Sequence, residues 1–378
     1  MFGFLEAVVA DGNMRADSPE LSIVVAARND EHSGRFLRRL QLFVSGLLEQ
    51  AKVHELDSEL IIVEWNPPDE VPKLREALAW PRETEPCSVR IVEVPQELHR
   101  RYKNADRLPL HQMIAKNVGI RRARGRFVLA TTADLLFSDE LVEFLASGKL
   151  KPNTMYRIDR YDVRSEVPEN GSMKEQLDYC ARNIIRINGR QDVVSPSTIR
   201  LLAYKPKFQI RLPTNLYMLL GRRFRSRGMR RTNIPFTSLG LSIRYLKRHL
   251  SPPFPVLHLG APGDFTVLSK EDWLSLRGYP ELPVYPVHLD SVFCHIAYHN
   301  GICEKVLGDP MRIYHIEHEP GWLSSWQLKE RFDAAGVPML DGSQYMSWIV
   351  RIYKEPGFLI VNSPEWGLGT EKLEEFTV

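Results

Sequence analysis

The chain has 378 residues, with 50 Lys and Arg against 47 Asp and Glu and a formal net charge of +3. That balance excludes a protein that gathers polyanions by overall charge, and the length suits one large domain or two closely joined ones. With 43% hydrophobic and 26% charged residues, no run of about eighteen apolar residues and no secretory leader pattern, the expectation is a soluble, cytoplasmic protein. Four widely spread cysteines, Cys87, Cys180, Cys294 and Cys303, form no CxxC. Neither a zinc site nor a redox pair is indicated, although the spacing of Cys294 and Cys303 permits a disulfide.

Residues 1–20 read as an arm. Leu21 to Ala26 is a buried strand ended by Ala27-Arg28-Asn29-Asp30. A helix over 34–52 follows, with Phe36, Leu40, Phe43 and Leu47 on its apolar side. Glu59 to Glu64 is a second buried strand, stopped by Trp65-Asn66-Pro67-Pro68, then come a short helix over 74–80 and a strand over 88–93. A loop over 95–109 leads to a helix over 110–122 with Ile114, Val118 and Ile120 inward, and Phe127 to Ala130 is the fourth strand. This alternation predicts a parallel sheet with helices on both faces, built over residues 21–145. No GxGxxG follows the first strand, and Asp30 and Glu31 stand where pyrophosphate-binding glycines would, which argues against NAD or FAD. GxSxG and GxxxxGK[ST] are absent as well.

The second half reads as a strand within 154–163, a helix over 179–188, an irregular basic insertion over 190–257 above the sheet edge, and a strand over 263–269. A helix over 270–276 follows, with Glu271 and Asp272 in its first turn, where the macrodipole favours acids. Further on come a helix over 290–299, a strand over 311–318 with two histidines, a helix over 322–334, and a tail from 341 that packs back on the body. The insertion carries the basic runs Arg222 to Arg231 and Arg244 to His249. They are candidates for contact with phosphate, nucleic acid or anionic lipid head groups, or a solvated loop.

Asp134 is the strongest candidate site residue, because it ends a buried strand where open α/β sheets place ligands and metals. Ser138 or Asp139 can cap the next helix, which frees Asp134. His315 and His318 are three apart and face opposite ways in a straight strand, so both reach one site only if the strand ends between them. One histidine, Asp134 and a substrate diphosphate would make a Mn²⁺ or Mg²⁺ site. Asp290, at a helix start, is either a cap or a general base. Asp30 and Glu64 end strands of the same sheet and suit the donor groups of a base and a ribose. Asn117 lies with Lys116, Arg121, Arg122 and Arg124 on a helix whose plain reading is a solvated face.

These residues fall in an order that resembles the GT-A glycosyltransferases, in particular the inverting family 2 type with a galactosyltransferase-like C-terminal half. The matching segments are Arg28-Asn29-Asp30, Glu64, Lys116-Asn117-Val118-Gly119-Ile120 with Ala123-Arg124-Gly125, and Thr132-Ala133-Asp134 in place of Asp-x-Asp. Later come Lys270-Glu271-Asp272-Trp273, Arg277-Gly278-Tyr279-Pro280, Leu289-Asp290-Ser291 and Tyr314-His315. The likeness covers about 21–145 and 260–320. It implies an α/β fold of the GT-A type, a Rossmann-like central mixed sheet flanked by helices. Residues 21–145 would be the nucleotide-sugar half, 146–257 a basic insertion and acceptor-side region, 258–340 the acceptor and catalytic half, and 341–378 the tail.

The activity implied is metal-dependent, inverting transfer of a sugar from a nucleoside diphosphate sugar, UDP-linked by preference, to a hydroxyl of a carbohydrate or glycosylated acceptor. Arg28, Asp30, Glu64, Asn117, Thr132 and Asp134 would bind the donor. Asp134 with His315, or His318 in reserve, would hold Mn²⁺ or Mg²⁺, and Asp290 would be the base. No nucleic-acid partner is implied, and 222–249 is the candidate for peripheral membrane contact. Two family acids are replaced, by Thr132 and Leu289. Their loss also fits a catalytically inactive GT-A-like domain that binds carbohydrate or protein. A sugar nucleotidyltransferase is the other alternative; it needs a Gly-rich loop after the first strand, where Gly34 is the single glycine of 29–35.

Overall fold

Leu21–Ala27 (β1) is apolar or small at all but one position, and every residue in it is buried, as the centre of a two-faced sheet requires. In a computed structural model of the chain, residues 18–30, 34–189, 193–194, 254–318 and 325–378 are described. The N-terminal arm up to residue 17, the basic runs within 222–249 and the expected helix start at 322–324 lie outside them. The chain divides into two compact units, Met1–Val194 with Leu257–Val378, and Ser195–Val256. The architecture below is that of the first.

After β1 come α1 (Phe36–Val53), β2 (Ser58–Trp65), α2 (Leu74–Ala77), β3 (Cys87–Val94), α3 (Gln96–His99), α4 (Gln112–Arg122) and β4 (Phe127–Thr131). The strands β3, β2, β1 and β4 lie side by side in that order, all parallel. Side-chain alternation splits the two faces. Ile23, Val25 and Ile62 meet Leu40, Phe43 and Leu47 of α1, while Val24 and Val63 meet α4. The helix following β1 and the helix preceding β4 thus cover opposite faces, which is the arrangement of a Rossmann-like sheet whose strand order reverses between β1 and β4.

The remaining elements are β5 (Leu135–Phe137), α5 (Asp139–Ala146), β6 (Thr154–Ile158), β7 (Arg160–Val163), α6 (Met173–Arg182), β8 (Ile184–Asn188), β9 (Val193–Val194) and β10 (Phe265–Ser269). They continue with α7 (Lys270–Leu276), α8 (Leu289–His299), β11 (Cys303–Leu307), β12 (Ile313–Ile316), α9 (Ser325–Ala334), α10 (Gly342–Lys354) and β13 (Glu374–Thr377). β10 enters the main sheet antiparallel to β4, and β6 and β11 extend that edge; β13 closes the other edge against β3. The result is a mixed eight-stranded sheet flanked by helices. A second sheet, in the order β5-β12-β7-β8-β9, stands beside it.

Several expectations need correction. The strand expected within 154–163 breaks at Asp159 into β6 and β7, which belong to different sheets. The helix expected over 179–188 ends at Arg182, because Ile184–Asn188 pairs with β7 and its β-branched residues suit that ladder. Residues 146–194 group with the main unit, and the second unit begins at Ser195. The short strands β5 and β11 and the short helix α3 were not expected. Neither was α10, although Asp341 and Gln344 form a capping box at its start. The four cysteines are free thiols, so Cys294 and Cys303 form no disulfide. Among the described residues no helix is long and apolar enough to cross a membrane.

Candidate metal centre

β1 and β4 are neighbours, so the segments that leave them, Arg28–Asp30 and Thr132–Asp134, emerge together at the carboxyl edge where the strand order reverses. Asp134 sits between β4 of the main sheet and β5 of the second. It is not needed as a helix cap: Ser138 caps α5, its Oγ accepting from the Leu141 N–H at 3.3 Å. The Asp134 carbonyl accepts from the Ile316 N–H at 3.0 Å, which docks the end of β12 on this turn.

That docking brings both histidines to one acid. His315 Nε2 lies 3.4 Å and His318 Nε2 3.3 Å from Asp134 Oδ2. β12 ends at Ile316, so the strand's alternation does not reach His318 and the pair converges. The choice between the two histidines is thereby replaced by a three-residue cluster whose donor atoms all lie within 4.8 Å of one another. Adjacent ligands of a cation bound at roughly 2.1 Å lie about 3 Å apart in octahedral geometry, close to the spacings here. Asp134 Oδ1 and Thr132 Oγ1 are buried without a hydrogen-bond partner among the described residues, and buried polar atoms normally have one. The donor set and these two atoms fit a divalent cation.

A residue absent from the expected set supports the cluster. Asp162 is fully buried on β7, in register with His315 on β12, and its Oδ1 lies 3.2 Å from His315 Nδ1. A carboxylate on Nδ1 leaves Nε2 to face Asp134, the second-shell arrangement common at metal-bound imidazoles. Asp162 is itself held by Arg160 at 2.8 Å, Arg186 at 2.5 Å and Asn188 at 2.9 Å. Burial pushes the Asp134 carboxyl up, but the two imidazoles outweigh it and hold the group well below its ordinary range. Asp162 is likewise lowered: burial opposes ionisation, and His315 and Arg160 overcome it. Burial and Arg160 push the His315 imidazole down, yet Asp134 and Asp162 raise it to about 9. The attraction that keeps a proton on His315 between two carboxylates would also favour a divalent cation. Replacing Asp162 with Ala is expected to weaken any divalent-cation binding at this cluster about 10–100-fold, read by calorimetric titration, while leaving the three cluster residues in place.

The register of β10 on β4 brings up the last group. Phe265 pairs with Thr131, so the turn Pro262–Asp264 lies at the same edge, and the Thr131 hydroxyl donates to the Asp264 carbonyl at 2.7 Å. Arg160 bridges Asp264 at 2.6 Å to Asp162. Asp290 is the second residue of α8 rather than its cap; it accepts from the Gly263 N–H and the Ser291 N–H, both at 2.7 Å. Burial, with Asp264 as a further contributor, raises its carboxyl above the ordinary value despite those two donors.

Other expected site residues are placed differently. Arg28 pairs with Asp30 and donates to the Asn66 carbonyl at 2.8 Å; both remain partly exposed at the carboxyl edge. Asn117 is fully buried and committed to a turn. Its Nδ2 donates to the Tyr279 carbonyl at 2.8 Å and its Oδ1 accepts the Tyr279 N–H at 2.8 Å. Gly278 has φ +68° there, and a Cβ on it would meet Asn117 Oδ1 at 2.2 Å. Asn117 thus fastens the Gly278-Tyr279 turn.

Glu64 is 1% exposed and accepts the Leu74 N–H at 2.8 Å, so it supports α2. Burial raises its carboxyl from 4.5 to about 7. A native pKa above the unfolded one means the folded state holds the extra proton, so stability falls as pH rises from 4.5 to about 7 and is level above that. At roughly 1.4 kcal/mol per pH unit the ionised form costs about 3 kcal/mol. Glu64→Gln is therefore expected to flatten the pH dependence of thermal stability across that window and to exceed the wild type at pH 8.

Lys116, read from sequence as part of a solvated face, is fully buried, with Nζ donating to the Gly263 carbonyl at 2.7 Å. A signal for it exists: Met113, Lys116 and Ile120 share one helix face, so a charge stands where the pattern asks for an apolar residue.

No family model matches the sequence, and a search of curated proteins finds no match. Among solved structures the chain is similar to GalNAc-T7 with UDP, GalNAc and Mn²⁺, at TM-score 0.39 and 11% identity, covering 94% of this chain and 56% of that one. It is also similar to S. aureus TarS 1-349, at TM-score 0.39 and 13% identity over 88% of this chain and 71% of that one. A third is the mannosyltransferase PcManGT from Pyrobaculum calidifontis in complex with GDP-Man and Mn²⁺, at TM-score 0.40 and 14% identity over 94% and 73%. The chain spans just over half the length of the first of these.

Proposed function

We propose that the chain is a metal-dependent glycosyltransferase of the GT-A type that takes a sugar from a nucleoside diphosphate sugar, UDP-linked by preference, and places it on an acceptor hydroxyl with inversion. The observation that carries this reading is Asp134 at the strand-order reversal with His315 and His318 on one of its oxygens and Asp162 behind His315. A divalent cation bound by Asp134, His315 and His318 supplies charge neutralisation for a diphosphate leaving group. Two imidazoles in the set favour Mn²⁺ over the oxygen-preferring Mg²⁺.

Arg28, Asp30 and Thr132 would border the nucleoside, since they leave the same sheet edge. Asp290 would take the proton of the acceptor hydroxyl. Each of its oxygens accepts one backbone N–H and retains a second lone pair, and its raised pKa makes it the better proton acceptor. The acceptor would be a carbohydrate or glycosylated molecule.

The test is a panel of UDP- and GDP-sugars titrated onto the protein with and without Mn²⁺, with the anomeric configuration of any product read by proton NMR. Metal-dependent binding and an inverted product are expected. A retained configuration would remove Asp290 as base, and tight binding without metal would remove the role given to Asp134.

A further inference from the structure

The carbonyl and the N–H of Gly263 face two buried charged groups. Its carbonyl accepts from Lys116 Nζ at 2.7 Å, and its N–H donates to Asp290 Oδ2 at 2.7 Å. The fit is close: a Cβ on Gly263 would stand 3.1 Å from Asp290 Oδ2, 3.3 Å from Met113 Cε and 3.8 Å from Lys116 Nζ. Lys116 is fully buried on α4, and among the described residues its one hydrogen-bond partner is that neutral carbonyl. Burying an ammonium in this way is unfavourable, and an apolar residue would satisfy the helix pattern better. What surrounds it is acidic: Asp264, Asp290 and Asp134 each act on it electrostatically. The turn itself is pinned from the far side by Arg157, whose guanidinium donates to the carbonyls of Gly260 and Pro262, both at 3.1 Å. The turn is thus held by Arg157, and Lys116 sets the peptide that meets Asp290.

We infer that Lys116 is a positioning residue for Asp290. Through the Gly263 peptide it aims an N–H at the carboxylate, and it supplies the positive charge that lets Asp134, Asp264 and Asp290 stand near one another at one sheet edge. Polarisation along the chain ammonium–carbonyl–amide N–H–carboxylate strengthens the last hydrogen bond. The inference rests on the proposed function for the meaning of Asp290, but the arrangement itself does not.

The other groups that act on Asp290 are Asp264 from the turn, Arg157 from β6, Tyr279, Cys294 and the neighbouring His288. Of these, Asp264 is also a charge partner of Lys116, so Asp264→Asn is carried as a control that separates its share of any shift at Asp290. The experiment uses the full chain with carboxyl-labelled aspartate, in wild type, Lys116→Met and Lys116→Gln, with the Asp290 resonance assigned through Asp290→Asn.

In Lys116→Met the Asp290 titration midpoint is expected to rise by about one pH unit, and kcat to fall roughly 10–100-fold with donor KM within about threefold. Lys116→Gln, which donates to the same carbonyl without charge, should recover part of both. Gly263→Ala approaches the same contact from the other side and should also raise the midpoint. An unchanged Asp290 midpoint in Lys116→Met, or a loss of kcat that Lys116→Gln does not recover, would overturn the inference. If the wild type turned over no nucleotide sugar, the functional reading would fail while the substrate-free titration still decided the role of Lys116.

Discussion

Asp134→Asn is expected to weaken Mn²⁺ binding by ~100-fold or more and to remove metal-dependent binding of a nucleoside diphosphate sugar. The expectation follows from the donor set. Among the described residues Asp134 is the one carboxylate within reach of both His315 Nε2 and His318 Nε2, so the substitution leaves that cluster two imidazole donors and no anionic one. Thr132, not an acid, stands two residues earlier, so no carboxylate there compensates. The fold should survive. Asn retains an oxygen that can face an imidazole N–H, and the Asp134 carbonyl still accepts from Ile316. An apo stability loss of about 1–3 kcal/mol is expected from the weakened buried pairing, measured by denaturant unfolding. Titration calorimetry with Mn²⁺, with and without UDP, separates the two effects.

Asp290→Asn has the opposite signature. Donor binding should stay near wild type, because Asp290, the proposed base, stands outside the metal cluster. Turnover should fall roughly 10²–10⁴-fold, the range for loss of a general base. An asparagine oxygen can accept from Gly263 or Ser291 but not from both, since the amide nitrogen then faces the other N–H. A small stability loss therefore accompanies the change. The wild-type pH profile supplies a second check. Asp290 is raised above the ordinary carboxylate value, and it must be ionised to accept a proton. Activity should therefore rise with pH through that raised pKa, and the residual activity of Asp290→Asn should lose this limb.

Much of the parallel core was legible in the chain because local signals agreed there. β1 and β2 carry apolar runs at Ile23 to Ala27 and Leu60 to Val63, α1 has a clear apolar stripe, and turn residues separate them. Legibility failed where a residue's partner is distant in sequence. Asp162 and His315 meet only because β7 and β12 pair in register across 153 positions, and nothing local announces that. The convergence of His315 and His318 depends on β12 ending at Ile316, a boundary set by pairing with β5 and β7. Asn117 and Glu64 are each committed to backbone groups, that of Tyr279 across 162 positions and that of Leu74 across 10. Short polar motifs predict position in the fold more readily than the direction in which a side chain is used. α6 and β8 were confused because Tyr179 to Asn188 contains both a helix end and a β-branched run, and pairing with β7 decides between them.

The central claim is that Asp134, His315 and His318 together bind the cation that a nucleoside diphosphate requires. Electron spin-echo spectroscopy of Mn²⁺ bound with UDP tests it most directly, because it reads imidazole nitrogen coupled to the metal. The account predicts nitrogen couplings in the wild type that diminish in both His315→Ala and His318→Ala, and loss of the bound Mn²⁺ in Asp134→Asn. A Mn²⁺ signal without nitrogen coupling, or one unchanged by all three substitutions, would contradict it.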